Sequence, residues 1–162
     1  GQEEMGRVHD FLGLSTGLVI HDQTKEEKRA ALSVIGDDGY PYTVPIDFYY
    51  DESDGRIYLH CAKTGHKIDA IKKCDKVCFT VWNQGYKTEG NWEWSVTSVI
   101  VFGRARFIDD RSFWEDKLRK LTEKYYPSAE AVEAAMHIPS VNVVQMMAID
   151  IEHMTGKLVN EK

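Results

Sequence analysis

The chain has 162 residues, room for one domain of ordinary size and none for a separate cofactor domain. Its composition, 43% hydrophobic and 28% charged, is that of a globular protein that offsets its chain entropy by burial alone. A net charge of −6 with scattered lysines argues against nucleic acid or an anionic membrane surface as partner, and the apolar runs fall far short of the ~20 residues of a spanning helix.

Residues 1–29 are read as an N-terminal arm. Its apolar residues Phe11, Leu12, Leu14, Leu18, Val19 and Ile20 carry no clear period and are interrupted by Gly13 and Gly17. Residues 30–162 are read as one domain. Gly36-Asp37-Asp38-Gly39 joins strand Ala31–Ile35 to strand Tyr40–Tyr50 as a hairpin, and Pro41 and Pro45 mark the second strand as an edge or bulged strand. The turn at residues 51–55 leads into Arg56–Cys61, which predicts a three-strand meander. Helical spacing follows from His66 to Lys73, then a strand Val77–Trp82, a polar loop Asn83–Asn91 and a long strand Trp94–Ile108. Asp110 caps a predicted helix through Tyr125, Pro127-Ser128 opens another to about His137, Val143–Met154 is the last strand, and Thr155–Lys162 a polar tail. The expected fold is mainly β, a six-stranded antiparallel barrel with peripheral helices.

The segment from Tyr58 to Lys67 runs from a strand through Lys63-Thr64-Gly65 into a helix start. Free N–H groups and the helix dipole there favour an anion, and His66 and Lys67 add donors. The same spacing also suits a solvated lysine at a helix start and a His60 that merely faces the barrel. Trp82, Trp92, Trp94 and Trp114 suit core or dimer packing, with Trp94 or Trp82 placed to reach a cleft. His9, His21, His137 and His153 share no ligand spacing, so no metal site is expected. Arg104 and Arg106 on one strand face solvate the barrel or, if the cofactor were FAD, meet its adenylate part. Cys61, Cys74 and Cys78, odd in number and without C-x-x-C spacing, are expected as reduced thiols in a cytoplasmic protein. No Gly-x-Ser-x-Gly elbow or nucleophile-base set is present.

Three ordered stretches, residues 36–45 (Gly36-Asp37-Asp38-Gly39-Tyr40-Pro41), 57–71 (Ile57 through Lys67 to Ile71) and 98–105 (Ser98 through Gly103-Arg104-Ala105), closely resemble the pyridoxamine 5′-phosphate-oxidase-like flavoproteins. Within that group they are most similar to the 5-nitroimidazole-resistance proteins, as is the ending Glu152-His153-Met154-Thr155-Gly156-Lys157. The resemblance implies a homodimeric FMN-binding split β-barrel with the flavin in a cleft between subunits. Thr43, Val44, Pro45 and Ile46 would then run beside the flavin ring and ribityl chain. His60 and Cys61, with Ala62 and Lys63, would line the ribityl and phosphate side, His66 and Lys67 would hold the phosphate, and Ser98 would approach the ring from the opposite subunit. The implied activity is a flavin-dependent oxidoreductase that takes electrons from NAD(P)H and reduces a small electron-poor acceptor such as a nitroimidazole or quinone. The alternative is a non-catalytic flavin- or haem-binding storage or sensor module, and FAD is the alternative to FMN. The Trp- and Arg-bearing ending of the true pyridoxine phosphate oxidases is replaced here by Gly156-Lys157-Leu158-Val159-Asn160, so vitamin B6 oxidation is not expected. The arm departs as well: the nitroimidazole-resistance relatives carry an arginine-rich, amphipathic start there.

Overall fold

The computed structural model describes residues 27–159, so most of the arm expected over residues 1–29 lies outside the described residues. β1 (Ala30–Ile35) turns back through a 3-10 turn at Asp37–Gly39 into β2 (Pro41–Ile46). Asp38 and Gly39 take the left-handed backbone that so tight a reversal requires, with φ of 58° and 77°. Among the described residues β2 pairs only with β1, which makes it an edge strand, one of the two arrangements its prolines predict.

The expected strand Tyr40–Tyr50 is broken. β3 (Tyr49–Asp51) is separate from β2 and pairs with β4 (Arg56–Ala62), and the sheet order is β2-β1-β5-β7-β8-β4-β3. The predicted meander is therefore replaced by two hairpins at opposite ends of one antiparallel path. The break lies at Asp47 and Phe48, and its cause is tertiary. Phe48 is fully buried edge-on against Phe79, and its N–H donates to the Tyr125 hydroxyl at 2.9 Å. The Lys124 ammonium donates to its carbonyl at 3.1 Å. Side chains from a helix thus satisfy the backbone groups that a continuous strand would pair.

α1 (His66–Lys73) crosses to β5 (Lys76–Trp82), and β6 (Tyr86–Lys87) forms inside the predicted polar loop, where it pairs with the start of β7 (Trp94–Ile108). α2 (Arg111–Tyr125) and α3 (Ala129–Met136) start where the capping residues predict: Phe113 N–H donates to Asp110 at 3.0 Å and Ala131 N–H to Ser128 at 3.1 Å. β8 (Val144–Val159) runs well past the expected end at Met154, because Thr155–Val159 pairs with Val96–Ile100 instead of forming a polar tail. Among the described residues the sheet has eight strands where six are expected, the two additions being β3 and β6.

The barrel interior is filled by alternating residues of these strands, among them Leu32, Ile57, Leu59, Phe79, Val99, Val101, Met147 and Ile149. A second cluster, Tyr58, Ile108, Met146 and Ala148, lies on the outer face beneath Trp114, Leu118 and Leu121 of α2. Within that layer the buried Lys117 ammonium is 2.6 Å from Asp51. Burial would raise the Asp51 carboxyl, but hydrogen bonds from Lys117 and Ser53 outweigh it and hold it at about 2.

A bulge interrupts the β7–β8 ladder. Phe102 is opposite His153 and Gly103 opposite Ile151, so Glu152 is the extra residue. Gly103 is required there: a Cβ would come within 2.3 Å of the Asp150 carbonyl oxygen and 2.8 Å of Ile149 Cγ2.

Candidate functional site

β4 delivers His60 and Cys61 to the sheet end from which α1 departs. Gly65, at φ 139°, precedes the helix and offers no side-chain cap, so the first-turn N–H groups are left for another acceptor. Lys67, in that turn, is half-buried and has no ion pair or hydrogen bond among the described residues. Its charge is felt by both β4 residues. Burial lowers the His60 pKa, with Asp47 acting upward and Lys67 downward. Burial pushes the Cys61 thiol up and Lys67 offsets part of that, while Cys61 Sγ donates to the Gln145 carbonyl at 3.6 Å. His60, Cys61 and Lys67 therefore form one electrostatic neighbourhood beside an uncapped helix start.

β2 is brought to the same place through His66. The imidazole meets the Tyr42 ring edge-on at 4.5 Å, and its Nδ1 is 3.6 Å from Asp37. Gly36 allows this approach, since a Cβ there would lie 2.8 Å from the Tyr40 carbonyl oxygen and 3.2 Å from His66 Nε2. On β2, Thr43 and Pro45 are exposed, Val44 packs against the core and Ile46 is buried. The Thr43 hydroxyl is fixed by Ser33 at 2.8 Å.

Three other expected site residues lie differently. Ala62 and Lys63 are exposed at the end of β4, and Lys63 borders a shallow concavity of about 140 Å³ on the α2 side with Arg111, Trp114 and Gln145. Ser98 is not brought to Lys67 within one chain. It pairs with Trp82 and Lys157 near the start of β7, whereas His60 is in register with Met146, itself opposite Ile108 at the other end of that strand.

Arg104 and Arg106 are both engaged. Arg104 binds Asp75 at 2.8 Å and Glu152 at 2.7 Å, and Arg106 binds Asp75 at 2.9 Å and Asp150 at 3.2 Å. Trp114 is buried on the sheet-facing side of α2, while Trp82, Trp92 and Trp94 are exposed. The three cysteines are unbonded thiols. Among the described residues no group of three His, Cys, Asp or Glu is placed to hold a metal, and no helix is long and apolar enough to cross a membrane. Asp47, whose charge reaches His60 and which pairs with Arg29 at 2.5 Å, belongs to this neighbourhood and carried no sequence signal, since only the strand break turns it there.

The family model described as pyridoxamine 5′-phosphate oxidase matches residues 21–158. The chain belongs to this family. Solved structures similar to this pyridoxamine 5′-phosphate oxidase family member include a provisionally named 5-nitroimidazole antibiotic resistance protein of Bacteroides thetaiotaomicron, with TM-score 0.71 and 22% identity over 87% of this chain and 82% of that one. An FAD-binding protein of Mesorhizobium loti aligns with TM-score 0.62 and 21% identity over 91% and 96% of the two chains. The FAD and haem binding protein of Mycobacterium smegmatis aligns with TM-score 0.62 and 14% identity over 89% and 71%. At these identities the likeness establishes the split-barrel fold. Curated relatives are SecA protein translocase subunits, of which the chain spans only a small part. The match to that of Nocardioides sp. is 31% identical over 75 residues, 46% of this chain and 8% of SecA. The match to SecA 1 of Mycobacterium ulcerans is 27% identical over 130 residues, 74% and 13% of the two lengths.

Proposed function

We propose that this chain binds FMN in a cleft between two copies of itself and passes electrons from a reduced nicotinamide to a small electron-poor acceptor such as a nitroimidazole or quinone. The observation that carries this is Lys67: a half-buried ammonium, without an ion pair or hydrogen bond among the described residues, in the first turn of an uncapped helix in a chain of this family. That donor set fits a terminal phosphate, because the helix N–H groups and the cation favour the same anion. Bound there, FMN supplies the hydride and electron chemistry.

The chain's own residues bind and orient. Lys67 and the α1 N–H groups hold the phosphate, and His66, clasped between Tyr42 and Asp37, keeps the β1–β2 turn against the helix start. His60, near the end of β4, offers a ring nitrogen to the ribityl chain. The edge of β2 from Thr43 to Ile46, unpaired on its outer side among the described residues, offers C=O groups and, except at Pro45, N–H groups to the polar edge of the ring. The engagement of Arg104 and Arg106 by carboxylates favours FMN over FAD, since neither guanidinium is left for a second phosphate. Ser98, remote from Lys67 in its own chain, reaches the ring from the partner subunit.

Titration of apoprotein with FMN tests this. Lys67→Ala should bind FMN about ten- to a hundredfold more weakly, matching the ~1.5–3 kcal/mol of a hydrogen bond to a charged group. Riboflavin, which lacks the phosphate, should bind both proteins equally. Unchanged FMN affinity in Lys67→Ala would place the phosphate elsewhere.

A further inference from the structure

α2 covers the outer face of the sheet around Tyr58, Ile108, Met146 and Ala148. Further along, on β1, β5 and β7, the same face leaves Ile35, Trp82 and Phe102 exposed by 48%, 47% and 46%. In that open part Ser98 is opposite Trp82 on β5 and opposite Lys157 on β8. Residues directly opposite on antiparallel strands project to the same side with Cβ atoms ~4.5–5.5 Å apart, so the three side chains form one row. Val81, Val99 and Met154 point into the core, which directs Trp82, Ser98 and Lys157 outward.

Lys157 reaches this face only because of the bulge. Before Glu152 the odd-numbered residues Met147 and Ile149 point inward, and after it the even-numbered Met154 does. Lys157 is exposed and has no ion pair or hydrogen bond among the described residues. Arg104 and Arg106, further along the same face, are each held by two carboxylates. A half-exposed indole and an uncommitted ammonium thus flank the serine.

We propose that Trp82 and Lys157 flank Ser98 as one protomer's share of the flavin site in the other, Trp82 as an apolar wall and Lys157 as the charge that favours the reduced ring. This rests on the shared-cleft reading above. Hydride transfer from a reduced nicotinamide moves two electrons and one proton into the ring, leaving the nicotinamide oxidised and the ring one charge more negative. A nearby cation stabilises that form over the oxidised one, and charge near the ring is a lever by which a protein tunes the cofactor.

Spectroelectrochemical titration of the FMN-loaded protein tests the charge. Lys157→Gln should weaken reduced FMN about tenfold more than oxidised FMN, a potential ~30 mV lower for a two-electron couple. Lys157→Arg should keep the wild-type potential, and so should Lys76→Gln, an exposed lysine at the far end of β5. Tryptophan emission tests the wall: FMN should quench Trp82→Phe less than wild type and Trp114→Phe as much as wild type. A wild-type potential in Lys157→Gln, an equal shift in Lys76→Gln, or unaltered quenching in Trp82→Phe would overturn the proposal. Failure of the wild type to take up FMN, a different result, would overturn the flavin reading and this proposal with it.

Discussion

Lys124 lies in the last turn of α2 with its ammonium 3.5 Å from the Phe48 ring centroid and 3.1 Å from the Phe48 carbonyl oxygen. Burial, and after it the charge of Lys28, lowers its pKa from 10.5 to about 7. Above about pH 7 the native protein has therefore released a proton that the unfolded chain keeps until about 10.5. Stability rises with pH wherever the unfolded state binds more protons, so it should climb between these values. Urea denaturation at pH 7 and pH 9.5 should show that gain in the wild type and a smaller one in Lys124→Met. Nothing in the sequence marks this residue. Lys117, Lys120 and Lys124 look alike on a helical pattern, and what separates them is what α2 packs against: Asp51 for Lys117, Phe48 for Lys124. The helix start that carries Lys67 was legible because its signal is local, a glycine before helical spacing, whereas the surroundings of Asp47 and Lys124 depend on contacts distant in sequence.

At the level of elements, α1, α2 and β7 have the bounds that caps and periodicity predict, since each is specified by neighbours within a few residues. The break at Asp47 and Phe48 was not legible, because continuous strand propensity there is overruled by Tyr125 and Lys124 of a later helix. The continuation of β8 past Met154 was equally hidden. Thr155-Gly156-Lys157 looks like a tail until Ser98, Val99 and Ile100 are found opposite it. The bulge that allows this pairing depends on Gly103. Gly103→Ala should cost at least about 1–3 kcal/mol, the usual range for forcing extra atoms into a packed site, because the atoms met are backbone of β8. Gly55→Ala meets nothing within 4 Å and should cost only the left-handed backbone penalty of about 1–2 kcal/mol. Thermal unfolding of the two variants should rank them in that order.

For the molecule as a whole, the open outer face is the surface on which the proposed shared cleft would be built. Phe102, stacked on His153 at 5.9 Å with Ile35 and Trp82 on the same face, is too apolar to stay wet at low cost. Light scattering should report a dimer for the wild type and a shift to monomer for Phe102→Asp, with flavin lost in parallel. A wild-type monomer that retains flavin would remove the shared cleft. The architecture also bears on synthesis. β8, encoded last among the described strands, is inserted between β7 and β4, and it alone joins β4 and β3 to the rest of the sheet. While a nascent chain still has those residues inside the ribosome, β4 and β7 each expose an unpaired edge, the kind of surface that draws strands from other chains. The two halves of the sheet therefore cannot be joined until β8 has left the ribosome, and the last strand to be made is the one that closes the ladder.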